Sequence, residues 1–555
     1  MKNHSHSRSV FTATTAAAVL CGFLLPLLTL FSQAFTTDGG GWAGFEYWKT
    51  YFSSPHLVSA LTNSLFTASA ATVCALIPAF AAAWALTRSA MPGKAVFRHL
   101  FMLPLLAPTM MHAIALIYLA GRQGILTRAG MQVELYGPPG VILAETIAIF
   151  PLMLLILMLG FANSDRRLYE AAELFGCSRL EQFLCVTLPA MRNAVLSALL
   201  VGFTFAFTDF GAPKVIGGQY NILAVDLYKS VIGGQDFHLG AVAAILLALP
   251  AAVAFRLEHR LRSAHSGQQS SHSTPLRVQP EFRRDLAAFL LCLAPALFLG
   301  VLFVCMAIAA FSEFWPYDLT FTLRHFDFAP VMAYSGWEVL GNSLLVAALT
   351  AIAGVTAAFL AAALVARSRA PEMVRKTLHQ CFQLPMAIPG LALGVAFILF
   401  FNRSENPLHF LYGTAAILVL ANVVHFFPVP YLTGKAALEK LDCELENAAD
   451  CCGVSRFTLY RRVVLPLLLP VLVENTIYFM LNAMITVSAV VFLYPADFPI
   501  GSVAVINMED AGEIAAAAAL SLLIILINLL ICLGSELTLY LINRHRKHKL
   551  NQTIP

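Results

Sequence analysis

Between two long apolar runs the chain reads Tyr169-Glu170-Ala171-Ala172-Glu173-Leu174-Phe175-Gly176 and, after nine more residues, Val186-Thr187-Leu188-Pro189. The alanines leave a helix surface that another protein can approach closely. Gly176 suits a sharp turn between two short helices, because glycine adopts backbone conformations that other residues resist. Pro189 fits the start of the next helix. The loop is too long and too patterned to be a simple connector.

The same pattern returns 277 residues later in the chain. Asn447-Ala448-Ala449 precedes Gly453 with the spacing of the first copy, and Leu465-Pro466 follows as Leu188-Pro189 does. Three shorter matches lie in the same order at nearly the same offset. They pair Asn63-Ser64-Leu65 with Asn342-Ser343-Leu344, Leu103-Pro104 with Leu384-Pro385, and Phe150-Pro151 with Phe427-Pro428. The chain is therefore predicted to consist of two homologous halves.

The composition indicates a membrane protein. Of the 555 residues, 59% are hydrophobic and 12% are charged, about half the charged share of roughly 25% in soluble domains. A membrane helix needs roughly 20 apolar residues, and twelve runs meet or approach this length. They cover residues 10–35, 57–86, 100–121, 141–162, 193–208 and 239–255, then 286–311, 339–366, 381–401, 410–434, 467–493 and 514–534. The fifth and sixth runs are short and are expected to continue past Asp209 and the neighbouring polar residues.

The expected fold is an all-α polytopic membrane protein with about twelve transmembrane helices in two six-helix repeats. Six is an even number, so both repeats enter the membrane the same way and are parallel rather than inverted. The expected organisation is a first half at 1–256, a cytoplasmic linker at 257–284, a second half at 285–543 and a basic cytoplasmic tail at 544–555. The linker is expected from its Ser, His, Gln and Arg content, which is typical of a solvated segment.

The distribution of Lys and Arg predicts the orientation. With the N-terminus inside, the inner segments hold 27 Lys and Arg residues and the outer loops hold 7. An excess of positive charge marks cytoplasmic loops. Both termini and both repeated loops are therefore expected in the cytoplasm.

The repeated loop resembles the signature loop of type I ABC importer permeases: Glu-Ala-Ala, three residues, Gly, nine residues, an aliphatic residue, any residue and Leu-Pro. The second copy departs from this pattern at Asn447, where the family usually has Glu. The resemblance implies a coupling helix that docks in a groove of a separate ATPase subunit. It also implies that the ATPase, expected as a homodimer, carries the ATP and Mg, and that a periplasmic solute-binding protein delivers the solute. This chain would then lie in the bacterial inner membrane and bind no cofactor.

The fused two-half layout resembles both ferric-iron permeases and 2-aminoethylphosphonate permeases. Three stretches, 85–94, 208–221 and 487–494 leading to 507–512, are more similar to the phosphonate group. The resemblance therefore implies 2-aminoethylphosphonate or a related phosphonate as the solute, with ferric iron as the alternative. Rivals of other classes are an ion-coupled secondary transporter, which needs no ATPase-docking loops, and a signalling or scaffold membrane protein.

Ionisable residues within membrane spans are costly and often functional. Asp209 is followed by Phe210 and Gly211, with Lys214 close by, near the expected outer end of the fifth span. These four residues are candidates for a translocation pathway or gate, and a structural Asp–Lys pair is the alternative. Prolines at 104, 108, 385 and 389 are expected to kink their helices.

Several functions are excluded by what the sequence lacks. It has no Gly-x-x-x-x-Gly-Lys-Ser/Thr phosphate loop and no soluble domain long enough to bind nucleotide. It also shows no nucleophile, metal-ligand or paired-carboxylate pattern in an aqueous loop, and no basic tract typical of nucleic-acid binding. The sequence thus predicts a transport subunit without catalytic or metal-ligating residues.

Overall fold

The computed structural model describes residues 20–37, 39–266, 278–329, 335–367, 371–442 and 444–553, and these residues are mostly helical. The α-helices up to the linker are Leu25–Gln33, Glu46–Ser53, Pro55–Arg88, Lys94–Met102, Thr109–Ala120, Ile125–Arg128, Pro138–Ala162, Arg166–Leu174, Arg179–Gln182, Leu188–Thr208, Gly211–Ile216, Leu223–Tyr228 and Phe237–Ser266. Those after it are Phe282–Phe311, Gly336–Arg367, Glu372–Gln383, Gly390–Phe401, Ala415–Phe426, Pro428–Glu439, Glu444–Cys451, Arg456–Leu459, Leu465–Ile485, Gly501–Asp510 and Ile514–Thr553. One short antiparallel hairpin joins Ser312–Phe314 to Asp318–Phe321.

The helices account for eleven of the twelve predicted spans within the described residues. Among the described residues, eight helices are long and apolar enough to cross a membrane, and three bent helix pairs raise the number to eleven. The shorter apolar helix Gly22–Gln33 lies in the first predicted span, 10–35, part of which falls outside the described residues. The prediction of an all-α polytopic protein is confirmed.

Some predicted ends of spans are wrong. The fifth span does not continue past Asp209: its helical course covers Arg179–Thr208, so it extends toward the loop instead. Asp209 has an extended backbone, with ψ at 140°, and its carboxylate accepts the backbone N–H of Ala212 at 3.0 Å. The chain therefore breaks there and starts a new short helix. The eleventh span likewise ends at Ile485 rather than at residue 493.

Helices extend into the segments that were expected to form the linker and the tail. Helix Phe237–Ser266 extends into the segment predicted as linker, and the next helix begins at Phe282. Residues 267–277, the centre of that linker, lie outside the described residues. The last helix continues to Thr553, through most of the predicted basic tail.

The predicted kinks are confirmed at Pro108 and Pro389, whereas Pro104 and Pro385 lie in the short 3₁₀ turns just before these bends. Lys94–Leu106 and Thr109–Arg128 meet at 107°, and Glu372–Ala387 and Gly390–Phe401 also meet at 107°. The residues before Pro108 and Pro389 are extended, because a proline ring disfavours helical geometry in the residue that precedes it. The two spans thus break at corresponding prolines.

The chain divides into two compact units that differ from the sequence halves. Unit 1 comprises Met1–Trp42, Tyr334–Ala504 and Leu523–Pro555, and unit 2 comprises Ala43–Ala333 and Val505–Leu522. Within unit 2, helix Phe282–Phe311 packs on Pro55–Arg88 and Thr109–Ala120 of the first half. Within unit 1, helix Leu25–Gln33 packs on Gly390–Phe401 of the second half. The first helix of each sequence half therefore packs with the other half.

Small side chains form the packing surfaces of the central helices. In unit 2, Pro55–Arg88 packs on Pro138–Ala162 and Leu188–Thr208, and in unit 1, Gly336–Arg367 packs on Leu465–Ile485 and Pro428–Glu439. Lipid tails are as apolar as leucine, so helices in a bilayer associate through close packing between small residues. The buried faces follow this rule: they carry Ala68, Ala71, Ala75, Ala79 and Ala82 in one repeat and Ala347, Ala351, Gly354, Ala358 and Ala361 in the other.

Gly354 gives a test of this close packing. A Cβ atom at Gly354 would lie 2.5 Å from Cζ of the fully buried Phe479, whereas one at Gly341 of the same helix would have no neighbour within 4 Å. Overpacking costs about 1–3 kcal/mol, which exceeds the gain of roughly 1 kcal/mol from replacing a helical glycine by alanine. We expect Gly354→Ala to lower the thermal unfolding midpoint of the detergent-purified chain and Gly341→Ala to leave it unchanged or raised. Equal midpoints would contradict the packing.

Candidate functional site

The first repeated loop consists of two short helices around a glycine turn. Arg166–Leu174 ends before Gly176, which has a φ of 74°, and Arg179–Gln182 follows. Ser178 begins the second helix with a capping box, in which its hydroxyl accepts the N–H of Glu181 and the Glu181 carboxylate accepts the N–H of Ser178. A left-handed φ of this size disfavours any side chain, so the predicted role of Gly176 as a turn is confirmed.

The second loop has the same architecture. Helix Glu444–Cys451 ends before Gly453, whose φ is 68°, and Arg456–Leu459 follows. Ser455 caps that helix by accepting the N–H of Thr458 at 3.2 Å. The turn geometry is therefore duplicated although the residues around it differ.

Pro189 lies in the first turn of helix Leu188–Thr208, as the sequence predicts, although this helix directly continues an earlier helical course. Pro189 lies inside the continuous helical course Arg179–Thr208, directly after a π-helical turn at Phe183–Thr187. The corresponding Pro466 follows the π-helical turn Tyr460–Val464. Proline has no N–H, and its ring clashes with the carbonyl four residues back in a regular helix. In both copies the preceding leucine bonds to the carbonyl five residues back, which widens the helix before the proline.

The alanines of the loops divide between an inner and an outer side. Ala172 and Ala449 are buried, whereas Ala448 and Asn447 are exposed and Ala171 is half-buried. Glu170 is exposed and forms an ion pair with Arg166 at 2.6 Å. One alanine of each pair therefore fixes the short helix to its own bundle.

The exposed tips of the two loops differ in chemistry. Leu174 and Phe175, just before the first glycine, are 89% and 86% exposed. The corresponding residues of the second loop are Cys451 and Cys452, both exposed. Only the first loop thus presents two large apolar side chains at this point.

A buried arginine connects the first loop to the helices beside it. Arg88, at the end of helix Pro55–Arg88, is 8% exposed and donates to the carbonyl of Phe161 at 3.2 Å. Its guanidinium also lies 5.0 Å from the ring centroid of Tyr169 in the loop helix. The Tyr169 hydroxyl in turn contacts the Thr187 hydroxyl at 3.0 Å, in the π-helical turn. The loop helix is thereby tied to the ends of three membrane helices.

The second half has an equivalent arginine at the same distance along the repeat. Arg367, 279 residues after Arg88, donates to the carbonyls of Leu438 and Leu441, at the end of the preceding membrane helix. It also lies 3.9 Å from the carboxylate of Glu446 in the loop helix. Glu446 therefore faces its own bundle and does not replace the exposed Glu170. The sequence analysis missed both arginines, although their offset matches that of the Asn-Ser-Leu repeat.

The repeated Asn-Ser pair acts at the other end of each half. Asn63 donates to the carbonyl of Asn221 at 2.9 Å, and Ser64 accepts the N–H of Leu223 at 2.8 Å. In the second half, Asn342 donates to the carbonyl of Pro499 at 3.1 Å, and Ser343 accepts the N–H of Gly501 at 2.6 Å. In both halves these bonds attach the second membrane helix to the segment that follows the fifth membrane helix.

All four candidate gate residues lie in unit 2, and three of them pack against neighbouring helices of that unit. Asp209 accepts the hydroxyl of Thr109 at 2.7 Å, and Phe210 is 1% exposed against Tyr228, with ring centroids 4.8 Å apart. A Cβ atom at Gly211 would lie 2.4 Å from the hydroxyl oxygen of Thr109. The second half has the reverse arrangement, with Gly390 against Ser488. In each half, the residues at the break in the third span therefore pack against the residues that follow the fifth span.

Lys214, the fourth candidate, lies in the same short helix as Gly211, but its side chain has a different partner. It forms an ion pair with Asp510 rather than with Asp209, so the predicted alternative of an Asp209–Lys214 pair is wrong. Lys214 is therefore the candidate gate residue whose charged group contacts the other sequence half.

Two helical repeats with matching loops of paired short helices define a duplicated membrane permease. The chain belongs to the family described as binding-protein-dependent transport system inner membrane component, which matches residues 76–263 and again 354–547. It is thus the permease subunit of an ABC importer in the inner membrane, which is a transport subunit.

Several relatives are named after one of two solutes, ferric iron or 2-aminoethylphosphonate. The ferric transport system permease protein FbpB of Actinobacillus pleuropneumoniae is 25% identical over 495 residues, which are 86% of this chain and 71% of that protein. The Fe(3+)-transport system permease protein FbpB 2 of Haemophilus influenzae is 23% identical over 85% of this chain and 88% of its own length. PhnV of Salmonella typhi, assigned as a 2-aminoethylphosphonate transport system permease protein, is 29% identical over 44% of this chain and 92% of its own length.

The arginine contact can be tested by two substitutions. Arg88→Met removes the charged donor to the Phe161 carbonyl, a loss of about 1.5–3 kcal/mol, and also removes the contact with Tyr169. We expect Arg88→Met to lower solute uptake by cells at least fivefold at an equal amount of protein in the membrane. Arg88→Lys keeps the charge and should retain an intermediate rate. Normal uptake by Arg88→Met would show that the loop does not depend on this contact.

Proposed function

We propose that this permease imports 2-aminoethylphosphonate, driven by a separate ATPase that docks on the two loops. The observation that carries the ATP-driven part is the duplicated loop, with its left-handed glycine and buried arginine at the same place in each half. In this proposal the ATPase is a homodimer that binds ATP and Mg, and a periplasmic binding protein delivers the solute. Both loops and both termini lie in the cytoplasm.

The contacts of the loops suggest how force is transmitted. Leu174 and Phe175 offer an apolar surface to the ATPase, while Arg88 and Tyr169 join the loop helix to the ends of the membrane helices. When ATP binding closes the ATPase dimer, the two loops move with it and the helices follow. ATP can drive this change only because the ATPase binds it with different affinity in the two states.

The phosphonate assignment is supported by short stretches and by the PhnV relatives. The stretches 85–94, 208–221 and 487–494 leading to 507–512 resemble 2-aminoethylphosphonate permeases, and PhnV is 29% identical over 248 residues. Ferric iron is the second candidate, because FbpB matches across 86% of the chain, including both halves. The fused layout supports ferric iron, because FbpB matches 86% of this chain, whereas PhnV, matched over 92% of its own length, covers 44% of it.

Uptake by a deletion strain tests the solute. We expect a strain that lacks this chain, and any redundant system, to lose growth on 2-aminoethylphosphonate as sole phosphorus source and to regain it with the gene. Uptake of labelled ferric iron should be unchanged. Growth of the deletion strain on aminoethylphosphonate would defeat the phosphonate assignment, and a defect in iron uptake would favour the alternative. Transport by the purified chain without any ATPase would defeat the ATP-driven mechanism.

A single charge on the first loop tests the docking surface. Phe175→Asp places a carboxylate where we propose an apolar contact, so we expect ATPase recovered with the purified permease to fall at least tenfold and uptake to fall with it. Phe321→Asp is the control, since Phe321 is 73% exposed but belongs to the hairpin that follows a membrane helix and to neither loop. ATPase recovery that is unchanged by Phe175→Asp would contradict docking at this loop.

A further inference from the structure

An ion pair joins the two sequence halves within unit 2. Lys214 lies in the short helix Gly211–Ile216, and Asp510 is the last residue of helix Gly501–Asp510, 296 residues later. The side chain of Lys214 is 19% exposed and that of Asp510 is 45% exposed. The cation is thus mostly buried, and its carboxylate partner is open to solvent.

The pair lies at the end of the membrane helices that is opposite the loop. Helix Leu188–Thr208 follows the first loop, and Lys214 comes six residues after that helix ends. With the proposed orientation of the loops in the cytoplasm, this end receives solute from the periplasmic side. The ion pair is therefore placed where solute enters.

A second carboxyl group lies next to this pair. Glu509 precedes Asp510, and its buried Oε2 atom has no hydrogen-bond partner among the described residues. Burial raises the pKa of Glu509 to about 7, an effect that the charge of Lys214 opposes and that of Asp510 reinforces. The site thus contains one ammonium group and two carboxyl groups, and one of these carboxyls is not satisfied by the ion pair.

These charges match the two ends of an aminoethylphosphonate molecule. The solute carries an ammonium group at one end and a phosphonate at the other, separated by two carbons. A phosphonate can replace the carboxylate on Lys214, because charge-assisted bonds to oxyanions are the strong ones. The displaced carboxylates can then accept the ammonium group. One ion pair is thereby exchanged for two, so the charge of Lys214 keeps a partner after Asp510 is displaced.

We propose that Lys214, Glu509 and Asp510 form a zwitterion-binding site at the entrance of the pathway, where Lys214 binds the phosphonate and the two carboxylates bind the ammonium. Without solute, the Lys214–Asp510 pair keeps the two sequence halves joined at this point. Solute separates them by taking a place between the charges. This inference rests on the proposed function, because ferric iron would use the carboxylates and leave Lys214 without a role.

The test measures solute binding to the permease without its binding protein. The full chain, purified with its ATPase in detergent, is heated with and without excess 2-aminoethylphosphonate, since a ligand that binds the folded state raises the unfolding midpoint. We expect the solute to raise the unfolding midpoint of the unmodified chain. The rise should be absent in Lys214→Met and smaller in Lys214→Arg. The variant Glu509→Gln with Asp510→Asn should respond no better to aminoethylphosphonate than to ethylphosphonate, which lacks the ammonium group.

A second ion pair of similar exposure provides the control. Lys435 and Glu439 are 2.8 Å apart, with side chains 21% and 50% exposed. Lys435→Met with Glu439→Gln should keep the midpoint shift and the maximal rate of aminoethylphosphonate uptake, whereas Lys214→Met should lower that rate at least tenfold at an equal amount of protein in the membrane.

Failure of this inference can be told from failure of the proposed function. If cells import aminoethylphosphonate but the unmodified chain shows no shift, or if Lys214→Met keeps the shift and the rate, the zwitterion site is wrong and the solute assignment stands. If cells with the unmodified chain import no aminoethylphosphonate, both the solute and the site are wrong.

Discussion

The contact on which the rest of the structure depends is a buried guanidinium at the loop end of each half. Arg88 and Arg367 each end a long membrane helix and bind carbonyl groups at the end of a second one, just before the loop begins. Helix ends leave carbonyls without internal partners, and in or near a membrane such groups are costly. A guanidinium with five donors satisfies them and can still contact the loop helix. A short loop helix can move a bundle only if it is attached to it, and this contact attaches it.

The duplication preserves geometry more strictly than it preserves side chains. The glycine turn, the π-helical turn before proline and the Asn-Ser contacts occur in both halves with equivalent partners. The surfaces that face outward diverge: Leu174 and Phe175 correspond to two cysteines, and Glu170 corresponds to Asn447. Contacts within a bundle tolerate little change because the neighbours are closely packed, whereas a surface can change with its partner. A homodimeric ATPase would therefore meet two different loops.

The sequence predicted the architecture well because its signals are local. Apolar length, the repeated glycines and the paired prolines each specify nearby backbone, and the spans, turns and 107° bends follow from them. The ends of helices were predicted less well. Asp209 was expected within a span but ends it, because its carboxylate caps the next short helix. Pro189 lies in the first turn of its helix as expected, but the sequence did not predict the widened turn that joins this helix to the one before it.

By itself, the sequence determined that this chain is a duplicated helical membrane protein with two patterned loops, since hydrophobicity and periodicity are properties of consecutive residues. Only the tertiary structure decided which residues act together. It exchanged the first helices between the halves, gave Arg88 a carbonyl partner 73 residues away, and paired Lys214 with Asp510 instead of the nearby Asp209. Such partners depend on which distant helices pack together, and the spacing of residues along the chain does not specify that packing.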